Sequence, residues 1–161
     1  MDQVLLITGG GRGIGAATAL LAARRGYAVA VNYANNSLAA DEVVRAIRAG
    51  GGTAMAVQAD VGDEAQVLAM FEKVDARLGR LTALVNNAGV VDVQARVDEM
   101  SVARLERMFR INVIGSFICA REAVRRMSTR HGGSGGAIVN ISSGAARLGS
   151  PGQYVDYAAS K

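Results

Sequence analysis

Val4-Leu5-Leu6-Ile7-Thr8 runs directly into Gly9-Gly10-Gly11-Arg12-Gly13-Ile14-Gly15. The first five residues are a short apolar run, the pattern of a strand buried on both faces of a parallel sheet. The alanine-rich stretch from Ala16 to Arg25 has helical composition. Strand, glycine turn and helix, in that order, are the context a dinucleotide site needs. Glycines let backbone approach a pyrophosphate. The helix N-terminus adds unpaired N–H groups at the positive end of its dipole. A glycine-rich turn with no ligand is the plainer reading, and the flanking strand and helix weigh against it.

The same alternation continues outward. Ala28 to Tyr33 reads as a second strand. Asn36 or Ser37 can cap a helix carrying Ala40, Val43, Val44 and Ile47 on one face, ended by Gly50, Gly51 and Gly52. Ala54 to Gln58 is a third strand, and Asp63 with Gln66 forms a capping-box signature. The helix it opens spaces Val67, Met70, Phe71, Val74 and Leu78 for a core. Ala83 to Asn86 is a fourth strand, a long helix runs from about Ser101 to Met127, and Ala137 to Ile141 is a fifth strand. A loop to about Gly152 precedes the start of another helix. Repeated β–α units predict an α/β fold with a doubly wound parallel sheet, one unit over residues 1–161.

Bulk properties narrow the function. Half of the 161 residues are hydrophobic and one is proline, which suits a packed core rather than disorder. The N-terminal apolar run is too short for a signal peptide, and no stretch approaches a transmembrane length. The single cysteine, Cys119, excludes an internal disulfide and suits a cytoplasmic setting. The net charge of +4 raises the question of nucleic acid. The arginines are spread along the chain, however. Their densest group, Arg121, Arg125, Arg126 and Arg130, ends a predicted helix, where cations complement the dipole. His131 stands in a polar loop with no Cys/His cluster around it, so no metal site is expected.

The far end of the chain reads Tyr157-Ala158-Ala159-Ser160-Lys161. Tyr and Lys four apart on a helix share a face. A free phenol titrates near about 10, and a neighbouring ammonium lowers that value, which makes a tyrosine a usable acid or base. Alone, the spacing is a weak signal. Together with Thr8-Gly9-x-x-x-Gly13-Ile14-Gly15, Asn86-Asn87-Ala88-Gly89, Asn112 and Ser143, it resembles the short-chain dehydrogenase/reductase family, in the 3-oxoacyl reductase-like or sugar dehydrogenase-like branch. The resemblance covers the whole chain and carries no substrate specificity.

The cofactor follows partly from residues and partly from resemblance. An NAD site usually has an acidic residue ending the second strand. Here that position is Tyr33, between Asn32 and Ala34. A 2′-phosphate would find Arg12 in the glycine loop and Asn35, Asn36 and Ser37 beyond the strand. In the family a basic residue at the Arg12 position goes with NADP, so NADP(H) is expected over NAD(H); a merely solvated Arg12 is the competing reading. By resemblance, Asp60 bonds the adenine amino group and Val61 lines the ring; a turn residue is the plain reading of Asp60. Asn87, Ala88 and Gly89 follow the fourth strand, where backbone passes close to the cofactor, whereas Asn86 reads as structural.

The resemblance also implies the chemistry. Asn112, unusual inside a helix, holds a water that relays protons to Lys161, with a satisfied structural amide as the alternative. Ser143 bonds the substrate carbonyl; Ser142 is the fallback, because Ser143 lies 14 residues from Tyr157, one more than the family leads one to expect. Tyr157 is general acid/base, Lys161 bonds the nicotinamide ribose and lowers the Tyr157 pKa, and Tyr154 lines the substrate cleft. The substrate is a small carbonyl or alcohol, and the assembly a homodimer or homotetramer with the Asn112 helix in the interface. Family members run to roughly 250 residues, so the resemblance places the missing C-terminal part after the fifth strand and the start of the next helix. A cofactor-binding sensor, or a catalytically incompetent fragment, is the alternative on the same fold.

Overall fold

The computed structural model describes residues 3–161; Met1 and Asp2, part of the single unit expected above, lie outside the described residues. Five strands alternate with helices. They are β1 (Gln3–Ile7), β2 (Tyr27–Tyr33), β3 (Ala54–Gln58), β4 (Ala83–Asn86) and β5 (Ala137–Asn140). The helices are α1 (Gly13–Arg24), α2 (Ser37–Ala49), α3 (Glu64–Leu78), α4 (Val102–Phe109) and α5 (Gly115–Met127), with the short α6 (Ala145–Leu148) and α7 (Val155–Ala159).

All strands pair in parallel, in the order β3-β2-β1-β4-β5. The chain winds outward from β1 to β3, then returns to β1's other side for β4. That reversal puts a switch point between β1 and β4, where open α/β sheets bind ligands beyond the carboxyl ends of their strands. Alternate side chains serve opposite faces. Leu6, beside Ala30 and Leu84, packs with Val67, Phe71 and Cys119 toward α3 and α5. Ile7, beside Val31 and Val85, packs with Ala19, Val43 and Ile47 toward α1 and α2. Both layers are needed, because strands so apolar must be covered twice.

Strand and helix ends differ from the sequence expectation by a residue or so, with one larger shift: α1 begins at Gly13, inside the glycine motif, rather than at Ala16. Thr8 falls just past β1. The Asp63 capping box is half formed. Asp63 accepts from the Gln66 N–H at 3.1 Å, but the Gln66 side-chain oxygen accepts from the Asp60 N–H at 2.9 Å rather than from Asp63. The Asp63 N–H is already taken by the Asp60 carbonyl.

The long helix expected over 101–127 is not continuous. A π-helical turn over Arg110–Ile114 separates α4 from α5, with Asn112 at its centre. Two sets of contacts constrain that turn. Val90 and Ser160 hold the Asn112 amide, and Gly115 passes so close to Val61 that a Cβ would lie 2.8 Å from its carbonyl oxygen. The wider turn accommodates both, as such bulges do at functional sites.

The arginines ending this helix pin α5 rather than only facing its dipole. Arg126 bonds Asp75 of α3 at 2.7 Å and Glu122 at 3.1 Å, with its guanidinium 4.9 Å from the Phe71 ring centre. Arg121 and Arg125 also pair with the buried Glu122. Burial pushes the Glu122 carboxyl up, but the Arg121 and Arg126 hydrogen bonds outweigh it and hold it below the usual range.

Candidate active site

At the switch point lies a cleft of about 730 Å³, within the range of ligand pockets. The glycine loop and first turn of α1 line one side through Gly9, Arg12, Gly13 and Ile14. The end of β2 contributes Tyr33 and Asn35, the turn after β3 Asp60 and Val61, and the segment after β4 Asn87, Ala88 and Gly89. These residues, far apart in sequence, are brought to one cavity. Gly15 is the exception: it does not line the cleft but packs beneath it. A Cβ there would lie 2.5 Å from the Gly9 carbonyl oxygen and 2.6 Å from Asn87 Nδ2.

The loop is held from below by groups whose polarity would otherwise be costly to bury. Asn32 is 1% exposed. Its Oδ1 accepts the Gly9 N–H at 3.1 Å, and its Nδ2 donates to the carbonyls of Ala59 at 3.0 Å and Val57 at 3.3 Å. The Thr8 hydroxyl accepts from the N–H groups of Asn87 and Ala88, both at 3.0 Å. Asn87 returns its Nδ2 to the carbonyls of Thr8 and Gly9, both at 2.9 Å. Asn87 is therefore a tie between β1 and β4 as well as part of the wall. Asn86 is structural: its Nδ2 donates to Ser116 O and Asn140 Oδ1. Asp60 Oδ1 accepts the Gly62 N–H at 2.9 Å, which orients the carboxylate in its turn.

A second cavity of about 190 Å³ adjoins Asn112, Ser116, Phe117, Asn140, Ile141, Ser142 and Lys161. Gly89 joins it to the main cleft, since a Cβ there would lie 3.2 Å from Lys161 Nζ and 3.3 Å from Asn112 Oδ1. The Asn112 side chain is well satisfied. Oδ1 accepts the Val90 N–H at 2.7 Å, and Nδ2 donates to Val90 O at 2.9 Å and Ser160 Oγ at 2.8 Å. The Asn112 amide is thus engaged within the protein, and the residue borders the cavity shared with Lys161.

Tyr157 lies within α7, and Lys161 is the last residue of the chain. Helix α7 ends at Ala159. Ser160 Oγ donates to the Tyr157 carbonyl at 2.9 Å, the acceptor a continuing helix would offer to the Lys161 N–H. The Lys161 N–H instead reaches Ala158 O, tightening the last turn. Lys161 Nζ donates to Ile141 O at 2.9 Å, and burial lowers its pKa from the ordinary lysine value. Ser142 Oγ donates to Lys161 O, while Ser143 Oγ accepts the Ala145 N–H at 3.2 Å, starting α6. Among the described residues no hydrogen bond joins the Tyr157 phenol to Lys161, Ser142 or Ser143.

Several site residues escaped the sequence reading. Arg107 and Ile111 line the main cleft from α4 and the π turn. Asn32 left one trace, a polar residue breaking the apolar run of β2. Cys119 is buried, and burial, reinforced by Glu122, pushes its thiol up to about 12. Among the described residues no helix is long and apolar enough to cross a membrane.

Comparison with known proteins agrees with this architecture. The short chain dehydrogenase family profile matches residues 3–161. An uncharacterized oxidoreductase of Escherichia coli, YgfF, is 57% identical over 158 residues, covering 98% of this chain and 64% of that protein. A probable tetrahydroxynaphthalene reductase of Zymoseptoria tritici is 40% identical, covering 99% of this chain and 57% of that protein. The structure of a Serratia marcescens short-chain dehydrogenase/reductase superposes with a TM-score of 0.91 at 36% identity, over 99% of this chain and 62% of that one. The chain thus spans about three fifths of the length of these relatives. Glycine loop, switch-point cleft and sheet order all fall within the matched region, and the chain belongs to the short-chain dehydrogenase family.

Proposed function

We propose that residues 1–161 form one dinucleotide-binding unit of an NADP(H)-dependent oxidoreductase that interconverts a carbonyl and a secondary alcohol. The observation that carries this reading is the cleft itself, which gathers the glycine loop, Arg12, Tyr33, Asn35 and Asp60 around one cavity. The loop fits a dinucleotide. Gly9 takes φ +62°, and a Cβ there would lie 3.0 Å from Ala88 Cα, so only glycine leaves the backbone free for a phosphate. Gly13, also at positive φ, faces open space, and the first-turn amides of α1 have no intrahelical acceptor.

Arg12 is exposed at the cleft beside Asn35 and Asn36, and β2 ends in Tyr33 without a carboxylate. A guanidinium there favours a 2′-phosphate. NADPH is expected to bind more tightly than NADH. Arg12→Ala is expected to weaken NADPH about tenfold or more, the worth of a charge-assisted hydrogen bond, and to leave NADH unchanged. Titration of both cofactors by nicotinamide fluorescence checks this; equal losses for the two would refute the assignment.

Bound NADPH supplies a hydride to the substrate carbonyl carbon. Tyr157 gives the oxygen its proton, Ser143 donates a hydrogen bond to that oxygen as charge grows, and Lys161 holds the ribose. The cavity from Asn112 to Lys161 is roomy enough for several waters, offers them the polar groups of Asn140, Ser142 and Lys161, and would resupply the Tyr157 proton. Turnover of NADPH with a panel of 3-oxo esters such as ethyl acetoacetate, 3-oxoacyl thioesters, sugars and small ketones tests the reaction; cofactor binding without turnover of any would favour a sensor.

The same reading places a second copy of the chain on the α4–α5 face. Val102, Ile114 and Phe117 are 69%, 51% and 72% exposed there, an apolar stripe that a homodimer or homotetramer would cover. Phe117→Arg is expected to lower the mass measured by light scattering to that of one chain; an unchanged mass would place the interface elsewhere.

A further inference from the structure

Arg104 and Asp156 form the most deeply buried ion pair among the described residues, with side chains 10% and 0% exposed. The geometry is bidentate. Arg104 Nε donates to Asp156 Oδ2 at 2.7 Å and Nη2 to Oδ1 at 3.2 Å. The third arm, Nη1, donates to Val93 O at 2.7 Å. One guanidinium on α4 thereby ties two segments that meet nowhere in sequence. One is the start of α7, where Asp156 directly precedes Tyr157. The other is the stretch after β4, which passes Asn112 and Lys161 at Gly89.

A second tie lies on the other side of Tyr157. Asn112 Nδ2 donates to Ser160 Oγ, which donates to the Tyr157 carbonyl. Tyr157 is therefore bracketed at Asp156 and Ser160, and both anchors run to the α4–π–α5 helix. Stability alone does not account for the buried pair, because apolar residues of similar volume usually hold such a site as well. What an ion pair adds is direction: a planar fork on a carboxylate fixes distance and orientation together. The Asp156 carboxyl is held below its usual range, chiefly by the Arg104 hydrogen bonds.

We propose that Arg104 and Asp156 are positioning residues that set the placement of Tyr157 against the cofactor-side segment Gly89–Val93. The inference rests on the reading of Tyr157 as the proton donor. Misplacement of a reacting group by about 1 Å costs about 10²-fold in rate.

Arg104→Met alone would strand a buried carboxylate, so the decisive variant is Arg104→Met/Asp156→Leu, which removes both charges and keeps the volume. In the full chain, this double variant is expected to bind NADPH with unchanged affinity and melt at an unchanged temperature. Its kcat on the fastest carbonyl substrate of the panel is expected to fall about 10²-fold, with KM for NADPH unaltered. Arg104→Lys, which keeps the charge but loses the fork, is expected to recover only part of the rate. A double variant with wild-type kcat overturns the inference. A fall in kcat matched by a lower melting temperature or weaker NADPH binding also overturns it, because the pair would then be structural. If Tyr157→Phe itself retains turnover, the reading of Tyr157 fails first and this inference with it.

Discussion

Tyr157→Phe is expected to lower carbonyl reduction by about 10²–10⁴-fold, the usual worth of a positioned general acid, while NADPH binds as before. The substitution removes one oxygen. The phenol takes part in no hydrogen bond among the described residues, so no buried partner is orphaned and the fold should not respond. The helix is held instead through Tyr157's backbone carbonyl, which accepts from Ser160 Oγ, and through neighbouring Asp156. Phe keeps both. Loss of rate with an unchanged cofactor affinity and melting temperature therefore isolates the proton transfer. Steady-state kinetics on the carbonyl panel, paired with fluorescence titration of NADPH, makes the comparison. Retained turnover would move the acid role elsewhere, and a parallel loss of NADPH affinity would make Tyr157 a binding residue.

Local signals were legible where neighbours in sequence are neighbours in space. The strand–glycine–helix succession at residues 4–25 and the alternating elements after it lead directly to the parallel sheet. Its strand order is a different matter: that β4 returns beside β1 follows from no local pattern, only from resemblance. The cleft residues Arg12, Tyr33, Asp60 and Gly89 were found because each stands at or beyond the carboxyl end of a strand, where the fold class puts ligands. Asn112 was visible as an asparagine out of place in a helix, but the π turn was not, since its causes are Val90, Ser160 and Val61, remote in sequence. The four-residue spacing of Tyr157 and Lys161 was visible in the sequence, but the contacts of Ser160 between them were not. Ser160 donates to the Tyr157 carbonyl and accepts from Asn112, and serine is a common enough residue that nothing marked it. Arg104 and Asp156 are 52 positions apart, and each alone reads as a surface charge. The same holds for Arg126 and Asp75. Charge pairs across elements carry no periodicity, so a single sequence hides them.

Asn32→Asp, a change of one group at constant shape, is expected to destabilise the fold by up to about 4 kcal/mol at pH 7, and the loss is expected to fade in acid. The wild-type amide is matched to its surroundings: one oxygen faces the Gly9 N–H, and the nitrogen faces the carbonyls of Ala59, Val57 and Tyr33. A carboxylate would keep the first contact but turn an oxygen toward three carbonyls at a site that is 1% exposed. Burial and that repulsion both disfavour the charge, so the folded-state pKa rises well above the unfolded value of about 3.9. An acid with a raised folded pKa binds more protons when folded, and stability falls as pH rises from the unfolded value to the folded one. Each unit is worth about 1.36 kcal/mol. Some three units separate about 3.9 from pH 7, which gives the figure of about 4 kcal/mol. Denaturant unfolding of variant and wild type at pH 4.5, 6 and 7.5 is expected to show a gap that widens by about 1.4 kcal/mol per unit until the folded pKa is passed. A gap independent of pH would mean that the new carboxylate finds a donor or reaches water, and that the amide contacts are not what holds Asn32. The functional consequence follows from Gly9: with the support of its N–H altered and β2 pushed from β3, the phosphate turn loses its shape. NADPH affinity at pH 7.5 is then expected to fall along with stability, in contrast to Tyr157→Phe, which leaves both intact.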